Sequence, residues 1–444
     1  MNKLNDNIVA RWGALFIVAF TMMAAYYVND VMAPLKSMLE EDLRWSSSDF
    51  GIFTGAYSFL NVFLLMLIWG GLILDRFGIR FTGKLAVVLM VLGTSMEYYA
   101  ITVLGGTQDI LFGFKKDVLI ASAGYSIFGV GAEVAGITVT KIIAKWFHGK
   151  EMALAMGIQV ALARIGSQAA YAVAIPVANA YSLPTPLFIG LILLFGGMIS
   201  FICFTFMDRK LDKQVKLDDN SSAEDKFSFK DVKAVISNKG FWLIAILCVL
   251  FYSCVFPFQK FAMTTKYGVS ESIAGTFAGL PALGALILTP IFGGFIDKKG
   301  KAASIMMFGA MLLILVHGIY SIPFIKAQWV AIGLMIILGI AFSLVPSAMW
   351  PSVAKIFPVK QLGTAYALIF FIQNIGLWGV PALIGVVLDN YCVVQSSNKG
   401  NLYDYTLPMC IFTFIAILSF LVAFLLKLAD KKYKYELEKP SIHE

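Results

Sequence analysis

Charge is what this chain of 444 residues lacks most: Asp, Glu, Lys and Arg make up 14% of it against 59% hydrophobic residues, where a soluble protein carries roughly 25% charged residues. That scarcity excludes an ordinary soluble domain, and the mean hydropathy of +0.80 points to a polytopic membrane protein. Histidine occurs 3 times and cysteine 5 times, with no Cys/His metal spacing. Cys203, Cys248, Cys254, Cys392 and Cys410 fall mostly in apolar runs and read as small packing residues rather than disulfides or ligands. No Gly-x-x-x-x-Gly-Lys-Ser/Thr loop is present, which argues against ATP drive, and no nucleophile triad pattern, which argues against an enzyme. Gly129-Val130-Gly131-Ala132 has the look of a dinucleotide loop, but no strand precedes it and it lies inside an apolar run. No small-residue cleavage site follows the first apolar run before Asp30, so a cleaved leader is not expected. No cofactor and no metal is expected.

What is there is a succession of apolar runs, at about 12–35, 49–72, 80–104, 118–146, 151–178, 185–207, 239–263, 271–296, 302–322, 327–349, 361–388 and 406–428. Each is long enough, or nearly so, to cross a hydrocarbon core of about 30 Å as a helix. The expected fold class is an all-α polytopic membrane protein with twelve transmembrane helices in two six-helix bundles. The formal charge of +8 would suit nucleic acid, but its placement does not. With both ends of the chain on one side, the loops of that side hold 25 Lys and Arg and the opposite loops 7. That bias places both termini in the cytoplasm, so the basic balance reports topology and no nucleic-acid partner. The lone Asn-x-Ser/Thr site, at Asn220, falls in the cytoplasmic central loop; the lack of others favours a bacterial inner membrane over a glycosylated organelle membrane.

Residues 208–238, the one long polar stretch, divide the runs six and six and read as a solvated linker with a short surface helix around Phe227–Val235. The expected domains are an N-terminal bundle over 1–207, the linker, and a C-terminal bundle over 239–444 with a short cytoplasmic tail. The bundles repeat each other. Gly71-Leu72-Ile73-Leu74-Asp75-Arg76-Phe77-Gly78-Ile79-Arg80 after the second run is echoed 222 residues on by Gly293-Gly294-Phe295-Ile296-Asp297-Lys298-Lys299-Gly300-Lys301. Farther along the offset is 210, pairing Phe147 with Phe357, Lys150 with Lys360, Ala155 with Ala365, and Ile165-Gly166 with Ile375-Gly376. The longer external loop at Gly105–Lys116 absorbs the difference. Parallel repeats of this kind build one group of transporter folds, with the binding site at the interface of the halves.

Two charges interrupt the runs at matched depth. Glu133 lies 15 residues before His148, and Arg164 lies 16 after it. At about 1.5 Å per residue, both stand roughly 22–24 Å of helix from the same face, near the middle of the bilayer. Charges there are costly and usually face a bundle interior or a water-filled path. The plain alternative is a structural salt bridge between the fourth and fifth spans. Against it, the positions 210 residues on are Ser343 and Asn374, so one half alone carries the pair, and buried ion pairs are poor stabilisers. Arg164 offers a planar fork for a carboxylate and Glu133 an acceptor for an ammonium, so a small zwitterion would satisfy both.

The Gly-x-x-x-Asp-Arg-x-Gly-x-Arg loop, its weaker copy and the six-and-six layout resemble the major facilitator superfamily over nearly the whole chain, although Ile79 stands where many members carry Arg. Phe128-Gly129-Val130-Gly131-Ala132-Glu133, Trp146-Phe147-His148-Gly149-Lys150-Glu151 and Ala163-Arg164-Ile165-Gly166-Ser167 are similar to the lysosomal dipeptide-transporter branch of that superfamily, as are Arg11-Trp12 and Tyr26-Tyr27-Val28-Asn29-Asp30. The resemblance implies alternating access and a dipeptide whose amino end meets Glu133 and whose carboxyl end meets Arg164. It gives Asp75, Arg76 and Asp297 a gating role, a loop carboxylate set against the N-terminus of a neighbouring helix. It also implies uniport, while Glu133 and Asp30 are each able to carry a proton.

Aligning Trp12 with Trp242 sets Asp30 opposite Lys260. Asp30 lies 19 residues beyond Arg11, about 28 Å of helix, so it belongs toward the external end. The pair is expected to form an external gate, with a kink at Pro257; the alternative is that each merely snorkels to water. Tyr26, Tyr27, Tyr252, Trp350, Gln373, Asn374 and Trp378 are candidates to line the cavity, though each is also an ordinary packing type. Trp350 qualifies because a helix broken by Pro346 and Pro351 would present it, and Asn374 as the counterpart of Arg164. Lys141 snorkels; Glu97 and His317 receive no role. The expected function is secondary-active or facilitative transport of a small peptide, above all a dipeptide, across the lipid bilayer. The alternatives are a carrier of the same fold for another zwitterion or an organic anion, and a non-transporting receptor or scaffold. The latter would show a large extramembrane domain. An accessory subunit leaves no mark in the sequence.

Overall fold

The computed structural model describes residues 4–147, 152–215, 229–254, 258–397 and 400–440. In chain order the helices are α1 (Ile8–Val31), α2 (Lys36–Asp42), α3 (Ser47–Phe63), α4 (Met66–Val103), α5 (Lys116–Trp146), α6 (Met152–Ala180), α7 (Thr185–Val215), α8 (Phe229–Ile236) and α9 (Lys239–Ser253). They continue with α10 (Phe258–Thr265), α11 (Glu271–Ala278), α12 (Leu280–Lys299), α13 (Ala302–Ser321), α14 (Gln328–Ile356), α15 (Val359–Tyr391) and α16 (Thr406–Tyr433). Two antiparallel hairpins interrupt them, β1 (Ile110–Leu111) with β2 (Phe114–Lys115), and β3 (Val393–Ser397) with β4 (Gly400–Tyr403). Among the described residues, 11 helical stretches are long and apolar enough to cross a membrane, or 12 if α3 and the start of α4 count as one bent span.

The expected runs appear in order, and each departure has a local cause. The first ends early: α1 stops at Val31, and Ala33–Leu35 forms a 3-10 turn around Pro34 before α2. The second breaks at Leu64–Leu65, with Leu65 left-handed at φ 53°. Its far part then fuses with the third run in α4, where the motif loop is reduced to one non-helical residue, Gly78 at φ 75° and ψ 173°. The seventh run divides into α9 and α10, and the eighth divides at Gly279 into α11 and α12. Pro257, the expected kink, lies outside the described residues, as does the turn from His148 to Glu151. The polar stretch begins as helix, since α7 continues to Val215, and α8 falls at the expected surface helix.

One expectation is corrected. The helix around Trp350 is not broken: α14 runs on through Pro346 and Pro351. A proline removes one backbone donor without having to end a helix that its neighbours support, and hydroxyls along this stretch add bonds to other carbonyls. Here Ser347 donates to Leu344 O at 2.7 Å, Ser352 to Ala348 O at 2.7 Å, and Tyr366 to Trp350 O at 3.0 Å.

By packing, the chain sorts into two compact units, Met1–Met32 with Phe63–Lys226 and Ala33–Val62 with Phe227–Glu444. In the first unit α1 starts on an Asn7 cap and packs against α6 and α7, while α4 lies along α5. A Cβ at Gly93 would come 2.4 Å from Gly124 O, so only glycine allows the α4 and α5 backbones to meet there. In the second unit α9 packs on α15 and α16, α13 on α14 and α16, and α12 on α14. Segment 33–62, which the repeat counts with the first bundle, packs with this second unit. Its helix α3 lies backbone to backbone against α15: a Cβ at Gly51 would meet Pro381 O at 2.5 Å, and one at Gly55 would meet Trp378 O at 2.5 Å.

Candidate functional site

In the first unit the fold draws four of the expected residues together. Arg164 on α6 sets its guanidinium over the Tyr26 ring of α1, 5.2 Å from the centroid, a cation–π arrangement. The charges of Arg164, Glu133 and Asp30 all act on the Tyr26 hydroxyl, and that of Arg164 acts on Asp30. Glu133, Arg164, Tyr26 and Asp30 are each partly exposed rather than sealed in the core. The approach of α6 to α1 depends on Gly166, two residues after Arg164: a Cβ there would lie 2.1 Å from Met23 O. The cluster is therefore a cation set against an aromatic face, with two acids near enough for their charges to bear on the same hydroxyl. Such a set can hold a ligand bearing both an ammonium and a carboxylate.

Asp30 is held from behind. Asn29 Nδ2 donates to Asp30 Oδ1 at 2.8 Å, and Tyr125 Oη donates to Asn29 O at 2.7 Å. Tyr125 did not stand out in the sequence; only its place one helical face from Phe128 and Glu133 marks it. Tyr27 takes a different part from Tyr26. It is 3% exposed, its hydroxyl donates to Pro186 O of α7 at 3.2 Å, and its ring closes on Gly190, so it is engaged in packing.

The second unit repeats the framework without the charges. Gly376 on α15 corresponds to Gly166, and its added Cβ would meet Ser253 Oγ at 2.7 Å, where Ser253 stands 230 residues beyond Met23. Ser343, the counterpart of Glu133, donates to Gly339 O at 2.8 Å within its own helix. Asn374, the counterpart of Arg164, donates to Phe370 O at 2.9 Å, also in its own helix, while its Oδ1 has no partner among the described residues. Around them are rings: Trp350 stacks on Phe370 at 4.8 Å, and Tyr252 meets Phe342 edge-on at 5.7 Å. Gln373 Oε1 accepts from Cys248 Sγ at 3.6 Å, and the Trp378 carbonyl faces Gly55.

Lys260 is fully buried, donating to Pro34 O at 2.8 Å and standing 3.7 Å from Glu271. Its ammonium lies 4.6 Å from the Phe261 ring, whose centroid is 5.3 Å from a second buried ammonium, Lys36. Lys36 pairs with Glu40, which also accepts from Ser47 Oγ at 2.9 Å. Asp389 completes the set by accepting from Ser47 N at 3.1 Å and Ser48 N at 2.6 Å, capping α3, and from Tyr403 Oη at 2.6 Å. Burial, and next the bond to Asp389, pushes the Tyr403 hydroxyl above the usual tyrosine range, so it stays a donor. Apart from Lys260, none of this network was marked in the sequence, because its members lie far apart: Lys36 Nζ also donates to Tyr405 Oη at 3.3 Å, 369 residues away.

Of the motif loops, Arg76 lies over the Phe77 ring at 5.4 Å and Asp297 is half-buried near the end of α12. The side chain of Asp75 is outside the described residues. Arg80 joins a network in the first unit instead: its guanidinium is 3.0 Å from Asp212, and Lys145 lies 2.7 Å from Asp208 and 2.6 Å from Asp212.

A multi-pass helical membrane protein in two repeated units, with a mixed-charge cluster in one of them, has the architecture of a solute carrier. The Major Facilitator Superfamily model matches residues 15–381, and the chain belongs to that superfamily: it is a transporter, not an enzyme. Among similar proteins, the human lysosomal dipeptide transporter MFSD1 is 28% identical over 393 residues, covering 85% of this chain and 79% of that one. The zebrafish (Danio rerio) protein of the same name is 29% identical over 400 residues, covering 86% and 82%. In fold, the nucleoside transporter NupG aligns with a TM-score of 0.72 at 12% identity, covering 93% of this chain and 99% of that one. A bacterial homologue of the human lysosomal transporter Spinster aligns at 0.68 and 14%, covering 96% and 98%.

Proposed function

We propose that this transporter carries small peptides, dipeptides above all, with Glu133 accepting from the substrate ammonium and Arg164 gripping its carboxylate. The observation that carries the reading is the cluster of Arg164, Glu133, Asp30 and Tyr26, confined to one unit. The names of the similar proteins support it. A dipeptide keeps its charged ends while its side chains vary, so fixed charges can serve many cargoes; Tyr252, Trp350, Gln373, Asn374 and Trp378 are the proposed contacts for the variable part. Asp30 and Lys260, with Asp75, Arg76 and Asp297 of the loops, are proposed to gate. The loop charges support cytoplasmic termini in a bacterial inner membrane.

The test is a thermal-shift screen of the purified protein with dialanine, other dipeptides, single amino acids and organic anions. Stabilisation by dipeptides that is lost in Arg164→Ala and in Glu133→Gln supports the reading. Stabilisation by organic anions that survives Glu133→Gln would replace it with an anion carrier.

A further inference from the structure

Each unit has an end that carries its copy of the motif loop, and the two ends are tied in different ways. In the first unit side chains do it. Lys145 at the end of α5 reaches Asp208 and Asp212 of α7, Arg80 reaches Asp212, and Trp146 Nε1 donates to Asp208 at 3.1 Å. The counterpart of Lys145 in the second unit is Lys355, 210 residues on. The β3–β4 hairpin lengthens the loop before α16 and returns the offset to 222, so Asp430 matches Asp208, Lys434 matches Asp212 and Ala302 matches Arg80, and a base and an acid are missing. The segment after α16 fills the gap. Lys355 Nζ donates to Glu436 O at 3.2 Å and Lys439 O at 2.7 Å, and Asp430 accepts from Leu437 N at 3.0 Å and Glu438 N at 3.3 Å. Peptide groups stand between the two counterparts where the first unit has a direct ion pair.

The same segment caps α13, whose own N-cap residue, Lys301, makes no side-chain cap. Lys301 N donates to Glu438 O at 3.1 Å and Ala302 N to Leu437 O at 3.0 Å, while Ser304 N and Oγ donate to the Glu438 carboxylate at 2.9 and 2.7 Å. A carboxylate at a helix N-terminus satisfies donors that the helix leaves open. Lys427 donates to Ser304 Oγ at 2.8 Å, and Tyr435 Oη to Asn238 Oδ1 at 3.1 Å, which adds the start of α9. Leu437 is fully buried. The fit is bought with backbone strain: Lys301, Lys434 and Glu436 sit at φ 66°, 58° and 63°, a region that non-glycine residues seldom occupy. At Gly300, φ 69°, a Cβ would lie 2.5 Å from Glu438 O, so the motif copy and the segment are fitted to each other.

We infer that Tyr435–Lys439 is a latch, anchored by Glu438 and Leu437, that holds the second motif loop and the ends of α9, α13, α14 and α16 as one body. Alternating access works largely by rigid-body motion, so releasing the latch slows transport. In the full chain in nanodiscs, Glu438→Ala and Leu437→Asp each raise amide exchange at Ala302–Ser304 at least tenfold and open Lys434 to trypsin. Asp208→Asn, which cuts the network of the first unit, leaves both readouts unchanged. Unchanged exchange and protection in both latch variants would overturn the inference. Dialanine uptake into proteoliposomes falls at least threefold in Glu438→Ala; uptake equal to the parent's, with exchange raised, would reduce the latch to a clamp without effect on transport. The uptake arm rests on the dipeptide reading: if the parent itself fails to carry dialanine, that reading fails, and exchange alone decides the latch.

Discussion

The helix pair carrying Glu133 and Arg164 and the pair carrying Ser343 and Asn374 share one framework and differ in what they hide. Both pairs flank a glycine contact, at Gly166 against Met23 and at Gly376 against Ser253. Ser343 and Asn374 each donate to a carbonyl four residues back in their own helix, so neither needs a countercharge, although Asn374 Oδ1 has no partner among the described residues. A guanidinium and a carboxylate in the bilayer need a face, a countercharge or water. Arg164 finds the Tyr26 ring and the field of Asp30. The lesson is that at these matched positions only one unit carries charge, which a structural need common to both helix pairs would not explain.

The strongest way to break this contrast is to remove the cation. Arg164→Ala should abolish stabilisation by dialanine, a loss of about 2–5 kcal/mol as for truncating one partner of a buried charge pair. Arg164→Lys should recover little, since an ammonium lacks the fork. Retained stabilisation in Arg164→Ala would end the assignment. Next is the reverse experiment. Ser343→Glu places a charge at a fully buried position of the second unit and should cost about 3 kcal/mol, read as a lower midpoint of thermal unfolding with no gain in ligand binding. An unchanged midpoint would mean that the two units tolerate charge alike.

The glycine contacts give a finer comparison. Gly166→Ala must push against a main-chain oxygen and should cost about 1–3 kcal/mol, displacing Arg164 from Tyr26 and weakening dialanine binding. Gly376→Ala presses on side-chain atoms, Ser253 Oγ at 2.7 Å, which can rotate away, and Val249 Cγ1 at 2.9 Å, which must shift, and should cost less than Gly166→Ala, about 1 kcal/mol. Equal costs would show that the two contacts are not specialised. The smallest effect is expected at the ring. Tyr26→Phe keeps the face that Arg164 stacks on and should leave dialanine affinity within about twofold, whereas Tyr26→Ala should lose about 0.5–1 kcal/mol; a Phe variant as weak as the Ala variant would assign the role to the hydroxyl instead.

Much of this was legible beforehand in particular residues. The place of Glu133 and Arg164 within apolar runs, the paired motif loops and the correspondence of Gly166 with Gly376 all follow from counting along those runs. The break expected around Trp350 does not occur, because whether a proline ends a helix depends on the neighbours that support it, which the sequence does not show. Tyr26 and Tyr27 are indistinguishable by type, yet a step of about 100° around the helix turns one to the charges and the other to Pro186. Tyr125 reaches Asn29 across 96 residues of chain, a distance over which no local pattern operates.

The sequence alone determined that the chain crosses a membrane many times, that its halves repeat, and that Glu133 and Arg164 interrupt apolar runs of one half where the other has Ser343 and Asn374. These follow from hydropathy, helix rise and bilayer thickness, all of which act residue by residue. Only the tertiary structure decided which neighbours satisfy those charges, that segment 33–62 packs with the second unit, and that Glu438 caps α13. Those outcomes depend on partners up to hundreds of residues away and on left-handed backbone at Lys301, Lys434 and Glu436, which packing has to hold in place.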